Sequence, residues 1–261
     1  MDTTVRNRFI KSLVDLTTSI ENSEVIQTPF PYILIENGIG DDFPTIEEFK
    51  KDSRERTFKF PKYFNSNGRM SLEITNRLHE SLEFKSLHDL IINKFNLKIP
   101  TTGDNIIVKH AHSIDIWEDT SDLDIHDIHL DFLKKGNAYK SEGLEQSETN
   151  SELDQLVFSM HIYLPDDDNH INLGTSLYEI PSSLPQSLKI QADFPINIPS
   201  MIMASDVDKL IKIKQIPYKR GVVFIHPTSL SSWHQAPIVP TGYIRKSMMF
   251  RWDYSSYTST L

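Results

Sequence analysis

Apolar residues near the start of the sequence recur every three to four positions, which is the repeat of an α-helix. Phe9, Leu13, Leu16 and Ile20 fall on one helical face and predict an amphipathic helix over residues 5–20. The rest of the first hundred residues contains patterns for one strand and for further helices: a strand at residues 32–35, a helix at residues 44–51, and one broken or two consecutive helices at residues 71–95.

After Pro100 the pattern changes to short β-prone runs that are separated by turns. These runs lie at residues 106–108, 114–117, 156–164, 175–180, 210–216, 222–225 and 243–252. Helices followed by many spaced strands predict a mainly β fold with flanking helices (α+β), arranged as a β-sandwich or jelly roll. We expect residues 1–261 to form a single domain, with a helix-rich support at residues 1–100 and a jelly-roll core at residues 101–253.

Composition narrows the classes of protein to which the chain can belong. Hydrophobic residues make up 38% and charged residues 24% of the sequence, which is typical of a folded globular protein. The net charge of −9 argues against a nucleic-acid or membrane-surface partner. No apolar run is long enough for a bilayer span or a secretory signal, so we expect a cytoplasmic protein. The absence of cysteine excludes disulfides, thiolate zinc ligands and a thiol nucleophile.

Three side chains have the types that bind a transition metal. His129 and Asp131 stand two positions apart, so an extended strand would direct both to one face, and His234 adds an imidazole from a distant strand. Two histidines and one carboxylate around open positions suit non-haem Fe(II). The chain contains ten histidines, so accidental pairs are frequent. A zinc hydrolase that uses His110 and His112 is therefore an alternative interpretation.

An anion-binding pair follows in the last predicted strand. Arg245 and Ser247 fall on the same strand face, where a guanidinium and a hydroxyl together match a carboxylate. Their apolar neighbours predict that this strand is buried, and the sequence shows no evident partner for a buried arginine. We interpret the pair as the site for the far end of a dicarboxylic keto acid that is bound to the metal. The alternative is an ordinary arginine in a basic surface patch.

These motifs together resemble those of the Fe(II)/2-oxoglutarate-dependent oxygenases. The resemblance rests on His129-x-Asp131, His234 and Arg245-x-Ser247 and spans residues 104–252. Three flanking stretches are also similar: residues 157–165, residues 173–178 with their Gly-Thr turn, and residues 220–224 ahead of the Ser-Trp-His at 232–234. The resemblance implies a cupin-like double-stranded β-helix with the site at the barrel mouth. It also implies Fe(II), 2-oxoglutarate and O2, with conversion of 2-oxoglutarate to succinate and CO2 during oxidation of a substrate C–H bond.

Within this resemblance, individual residues and the acidic composition refine the prediction. Halogenating relatives replace the carboxylate of the motif by a small residue, so Asp131 favours hydroxylation, desaturation or cyclisation. Tyr163 is a candidate further donor to 2-oxoglutarate, although a tyrosine packed in the core is the commoner interpretation of such a residue. The acidic chain favours a small-molecule substrate. A protein side-chain hydroxylase and a non-catalytic cupin-like binding module are the alternatives.

Residues 134–154 form a polar segment with almost no large apolar side chains. This composition predicts a surface loop or a partly disordered insert in the jelly-roll core. Because the segment follows the His129-x-Asp131 pair directly, it is either a lid over the site or a passive insert.

Overall fold

The structure of the protein is a computed structural model in which more of the described residues lie in antiparallel strands than in helices. It describes residues 2–51, 53–55, 69–74, 81–97, 106–121, 128, 151–179, 210–228 and 232–258. Within these residues the helices are α1 (Thr3–Asn22), α2 (Ile46–Lys50) and α3 (Leu82–Lys94). The strands are β1 (Ile33–Ile35), β2 (Ser53–Glu55), β3 (Arg69–Ile74), β4 (Ile106–Asp119), β5 (Ser151–Tyr163), β6 (Ser176–Glu179), β7 (Ile211–Gln215), β8 (Val223–Pro227), β9 (His234–Gln235) and β10 (Arg245–Thr258).

The strands form two antiparallel sheets. The larger sheet has the order β1-β8-β5-β10-β4-β3-β2, and the smaller sheet has the order β7-β6-β9. The long strand β10 lies at the centre of the larger sheet, because it pairs with β4 along one edge and with β5 along the other. The predicted class, mainly β with flanking helices, is confirmed. Among the described residues, no helix has the length and apolar character needed to cross a bilayer.

Helices α1 and α3 contribute to the hydrophobic core on one face of the larger sheet. Helix α1 begins after Asp2, whose carboxylate accepts a hydrogen bond from the Thr4 N–H, and it buries the apolar face that the sequence predicted. Phe9 of α1 and Phe84 of α3 both stack on Phe250 of β10, with ring centroids 6.2 and 6.0 Å apart. Aromatic stacking thus joins the helices to the central strand.

Strand alternation sends every second residue of the central strands away from this helix-packed core. In β10, Met248, Phe250 and Trp252 belong to the core beneath the helices, so Ser247 and Arg251 point to the opposite face. A second apolar cluster lies on that opposite side and combines residues of the larger sheet, the smaller sheet and their connections. Its buried members are Phe30, Tyr32, Tyr163, Leu173, Leu177, Ile216, Tyr218, Val222 and Phe224. The second face of the larger sheet is therefore also covered.

The sequence prediction for residues 71–95 is wrong in its first part. Ser71 to Ile74 belong to strand β3, which pairs with β4, and helix α3 begins only at Leu82. The stretch Ser-Leu-Glu-Ile alternates polar and apolar residues, which is the period of a strand and not of a helix. Residues 106–108 and 114–117 were expected to be separate strands. They lie in the single strand β4, because β10 offers it a continuous partner.

The strand positions add detail to two segments that the sequence described more coarsely. Strands β1, β2 and β3 come from residues 1–100, so this part of the chain adds edge strands to the larger sheet as well as helices. The loop that was predicted for residues 134–154 is corrected at its end, because Ser151 to Asp154 already form the start of β5 and pair with β10. Residues 134–150 lie outside the described residues.

Candidate functional site

The second face of the larger sheet is unusually polar for a buried surface. We call it the inner face, and its polar members come from four adjacent strands. They are Asp115 and Asp119 of β4, Ser159, His161 and Tyr163 of β5, His226 of β8, and Arg245, Ser247 and Arg251 of β10. All of them are at most 7% exposed. Buried polar groups are retained where they have partners in the protein or a role in function, so we look for the candidate site on this face, around Arg245 and Ser247.

Arg245 is buried, as the sequence predicted, but it has a partner that the sequence did not reveal. Its Nη1 donates to Asp119 Oδ2 at 2.8 Å, and its Nε donates to the Leu173 carbonyl at 2.6 Å. The guanidinium carbon lies 5.6 Å from the ring centroid of Tyr163 and 5.9 Å from that of Tyr218. A surface arginine is thereby excluded. The sequence showed no evident partner for this buried arginine, and the structure supplies one in Asp119.

These contacts also decide the charge of Arg245. Burial opposes the charged form of Arg245, but the Asp119 carboxylate outweighs it, so the pKa of Arg245 is raised. For the Tyr218 phenol, burial disfavours the ionised form and so raises the pKa. Arg245 is therefore a permanent cation, and the neighbouring Tyr218 phenol stays neutral at physiological pH.

Ser247 lies two positions along β10 from Arg245, between Trp117 of β4 and Tyr163 of β5 in the strand register. Its side chain is fully buried, and its Oγ makes no hydrogen bond with any described residue. A buried hydroxyl without a partner costs free energy, typically about 1–3 kcal/mol. An orphaned hydroxyl beside a cation is suited to bind an oxygen of an anionic ligand.

His234 is brought to this region by strand β9. This strand pairs with β6 of the smaller sheet, and the His234 ring is 5% exposed. Its Nδ1 lies 2.8 Å from the Ser232 carbonyl, which can only accept, so Nδ1 carries the proton and the lone pair of the neutral ring is on Nε2. Histidines that bind metals are commonly oriented by such a bond to a backbone carbonyl.

One further histidine of the inner face, His226, approaches His234, and His161 lies on the other side of His226. The His226 ring centroid lies 4.8 Å from that of His234 and 6.3 Å from that of His161. Among the described residues, no group of three or more His, Asp or Glu side chains is arranged to hold a metal ion. The predicted ligands His129 and Asp131 lie outside the described residues, so the proposed ligand set stays a prediction.

Tyr163 lies on the inner face beside Arg245, yet its hydroxyl is already engaged. It lies 2.6 Å from Thr175 Oγ1 and accepts a hydrogen bond from the Thr175 N–H at 3.0 Å. The adjoining Gly174 permits this turn, because a Cβ there would lie 1.9 Å from the Ile216 carbonyl oxygen. The Gly-Thr turn therefore holds Tyr163 in place, while the preceding carbonyl binds Arg245.

Sequence reasoning missed the acidic residues that β4 places on the inner face. Asp115 lies 3.3 Å from Arg251 and is fully buried, as is Asp119 beside Arg245. Asp115 and Asp119 alternate along β4 with apolar residues such as Ile114 and Ile116. This period of two indicates that both carboxylates point to the face of the sheet opposite the isoleucines. Their pairing with specific arginines depends on the register of β10 and could not be derived locally.

Comparison with known proteins gives matches in solved structures only. No family model and no curated protein matches the chain. HygX from Streptomyces hygroscopicus with nickel, 2-oxoglutarate and hygromycin B bound is 12% identical, with 85% of this chain and 82% of that chain covered and a TM-score of 0.41. A Pseudomonas putida prolyl-4-hydroxylase is 8% identical, with 92% and 97% covered and a TM-score of 0.43. The epimerase SnoN in complex with Fe3+, alpha ketoglutarate and nogalamycin RO is 9% identical, with 93% and 83% covered and a TM-score of 0.44.

These matches include a prolyl-4-hydroxylase and two proteins that were solved with 2-oxoglutarate bound. With TM-scores between 0.41 and 0.44, the likeness carries no inference about the chemistry of this chain.

Proposed function

We propose that this chain is an Fe(II)/2-oxoglutarate-dependent dioxygenase that oxidises a C–H bond of a small-molecule substrate. The observation that carries the proposal is the orphaned, fully buried Ser247 hydroxyl beside the buried Arg245 cation on one strand face. A guanidinium and a hydroxyl side by side match the far carboxylate of 2-oxoglutarate. The proposed architecture is the double-stranded β-helix, in which the two antiparallel sheets enclose the site.

The iron would be held by His129, Asp131 and His234. The orientation of His234 supports its share in this set, because the Ser232 carbonyl fixes the proton on Nδ1 and leaves Nε2 as the coordinating atom. When bound, iron and 2-oxoglutarate supply the oxidising chemistry, in which O2 converts 2-oxoglutarate to succinate and CO2 as a substrate C–H bond is oxidised. Hydroxylation is the simplest outcome, and desaturation and cyclisation begin in the same way.

The residues of the inner face orient and shield the reactants. Arg245 binds the far carboxylate of 2-oxoglutarate, and the Ser247 hydroxyl donates a hydrogen bond to the same carboxylate. Tyr163 supports Arg245 with its ring, because its own hydroxyl is already bonded to Thr175. The apolar cluster around Leu177 and Phe224 excludes water from this end of the site, which strengthens each charge-assisted bond.

The test is release of succinate and CO2 from 2-oxoglutarate by the purified chain in air. We expect release that requires added Fe(II), and we expect it to be lost in His234→Ala. Anaerobic addition of Fe(II) and 2-oxoglutarate should also give the visible absorption band that the family resemblance implies. Release that is independent of iron, or no release with a broad metabolite mixture as substrate, would contradict the proposal. A binding module would show the second result.

A further inference from the structure

The positive charge of Arg245 is balanced by a carboxylate of the protein itself before any ligand binds. Its guanidinium is 3% exposed, the Asp119 side chain is fully buried, and the two are joined by a bond of 2.8 Å. The register explains this contact, because Arg245 of β10 lies directly opposite Asp119 of β4. The ion pair is thus built into the sheet and does not depend on a flexible loop.

The remaining contacts of Arg245 fix its position around this pair. Its Nε donates to the Leu173 carbonyl, and the rings of Tyr163 and Tyr218 lie within 6 Å of the guanidinium carbon. Ser247 Oγ lies on the same strand face and makes no hydrogen bond with a described residue. Arg245 therefore cannot move far toward a ligand, so the ligand must come to a cation that Asp119 already contacts.

The charges of Arg245 and Asp119 determine how tightly a carboxylate ligand can bind beside them. Arg245 and Asp119 carry opposite unit charges, so a carboxylate that joins them places a second negative charge against the same guanidinium. Its attraction to Arg245 is offset by repulsion from Asp119, and both interactions are strong where water is excluded. A buried cation without Asp119 would bind the same carboxylate more tightly.

We propose that Asp119 is an internal counter-ion that competes with the far carboxylate of 2-oxoglutarate for Arg245 and so sets the affinity for this cosubstrate. The proposal rests on the proposed 2-oxoglutarate site. It assigns control of cosubstrate affinity to Asp119, a residue outside the proposed metal-ligand set. The weakened affinity also speeds the exchange of succinate, the product with the same far carboxylate, for new 2-oxoglutarate.

The inner face supplies a matched control in its second ion pair. Arg251 and Asp115 are also on β10 and β4, are both at most 7% exposed, and lie 3.3 Å apart. Asp115→Asn therefore removes a buried carboxylate from an arginine in the same sheet without touching Arg245. Any effect of general destabilisation will be seen in both variants.

The experiment measures binding of glutarate and of 2-oxoglutarate to the full chain in the presence of EDTA, by calorimetry and by thermal shift. We expect Asp119→Asn to lower the dissociation constant about tenfold, because the amide oxygen still accepts from Arg245 but carries no charge. Asp115→Asn and Asp119→Glu should bind like the natural sequence. Adding Arg245→Ala to Asp119→Asn should abolish the gain.

The outcomes separate this inference from the proposed function. Unchanged or weaker binding in Asp119→Asn overturns the competition, whether or not the chain turns over 2-oxoglutarate. An equal gain in Asp115→Asn also overturns it. If Asp119→Asn folds only when glutarate is present, the ligand is replacing the lost counter-ion, which supports the proposal. If it does not fold even with glutarate while Asp115→Asn does, the proposal is overturned. The proposed function fails separately, by the absence of iron-dependent succinate.

Discussion

Replacing Ser247 by alanine should change stability and cosubstrate affinity in opposite directions. The hydroxyl is fully buried and has no hydrogen-bond partner among the described residues, so its removal relieves a desolvation cost. We expect the free energy of unfolding of the metal-free chain to rise by about 1 kcal/mol, the low end of the cost of an unsatisfied buried group. The hydroxyl also donates to 2-oxoglutarate in our proposal. Its loss should therefore raise the dissociation constant about 10-fold or more, since hydrogen bonds to charged groups contribute about 1.5–3 kcal/mol.

Urea unfolding with EDTA present measures the first effect, and calorimetric titration with 2-oxoglutarate measures the second. Ser159→Ala is the matched control, because Ser159 is equally buried on the inner face but has an interaction partner in the structure. This control should lose stability and leave the affinity for 2-oxoglutarate unchanged. A Ser247→Ala variant that is less stable by 1 kcal/mol or more, or that binds 2-oxoglutarate normally, would refute the reasoning.

Three further substitutions test the metal ligand, the buried cation and the core. His234→Ala should abolish stoichiometric Fe(II) binding in equilibrium dialysis while the chain stays folded; undiminished binding would remove this residue from the ligand set. Arg245→Ala should lower the free energy of unfolding by about 3–5 kcal/mol, because the fully buried Asp119 carboxylate loses its ion pair with Arg245, and the double variant Arg245→Met/Asp119→Leu should recover most of that loss in urea unfolding. Phe250→Ala should cost about 3–5 kcal/mol, because the ring is 2% exposed and stacks on two helices; a cost below 1 kcal/mol would contradict the described core.

The sequence revealed elements whose signal is local. The helical spacing from Phe9 to Ile20 predicted α1 and its buried face, because such a helix needs only its own periodicity and a covering surface. The helix prediction for Ser71 to Ile74 was wrong because the helical spacing of the following residues outweighed the short polar–apolar alternation of this stretch. Pairing with β4 then decides its state, and that pairing is a long-range contact.

The candidate site was predictable in its residue types but not in its pairings. The burial of Arg245 and Ser247 followed from their apolar neighbours. The partner of Arg245 did not, because Asp119 is far away in sequence and reaches it only through the register of β4 against β10. The metal-ligand role of His129 and Asp131 stays a prediction, since both lie outside the described residues.

The central strand β10 serves two interiors at once, since its alternate side chains enter the helix-packed core and the inner face. A single-residue insertion or deletion near its start would exchange these sets, placing Arg245 and Ser247 among phenylalanines and Phe250 among the charges. This segment can therefore diversify only by substitution at fixed length. Length variants of this chain with new specificities are to be sought in the connections between strands, where a shift of register has no such double consequence.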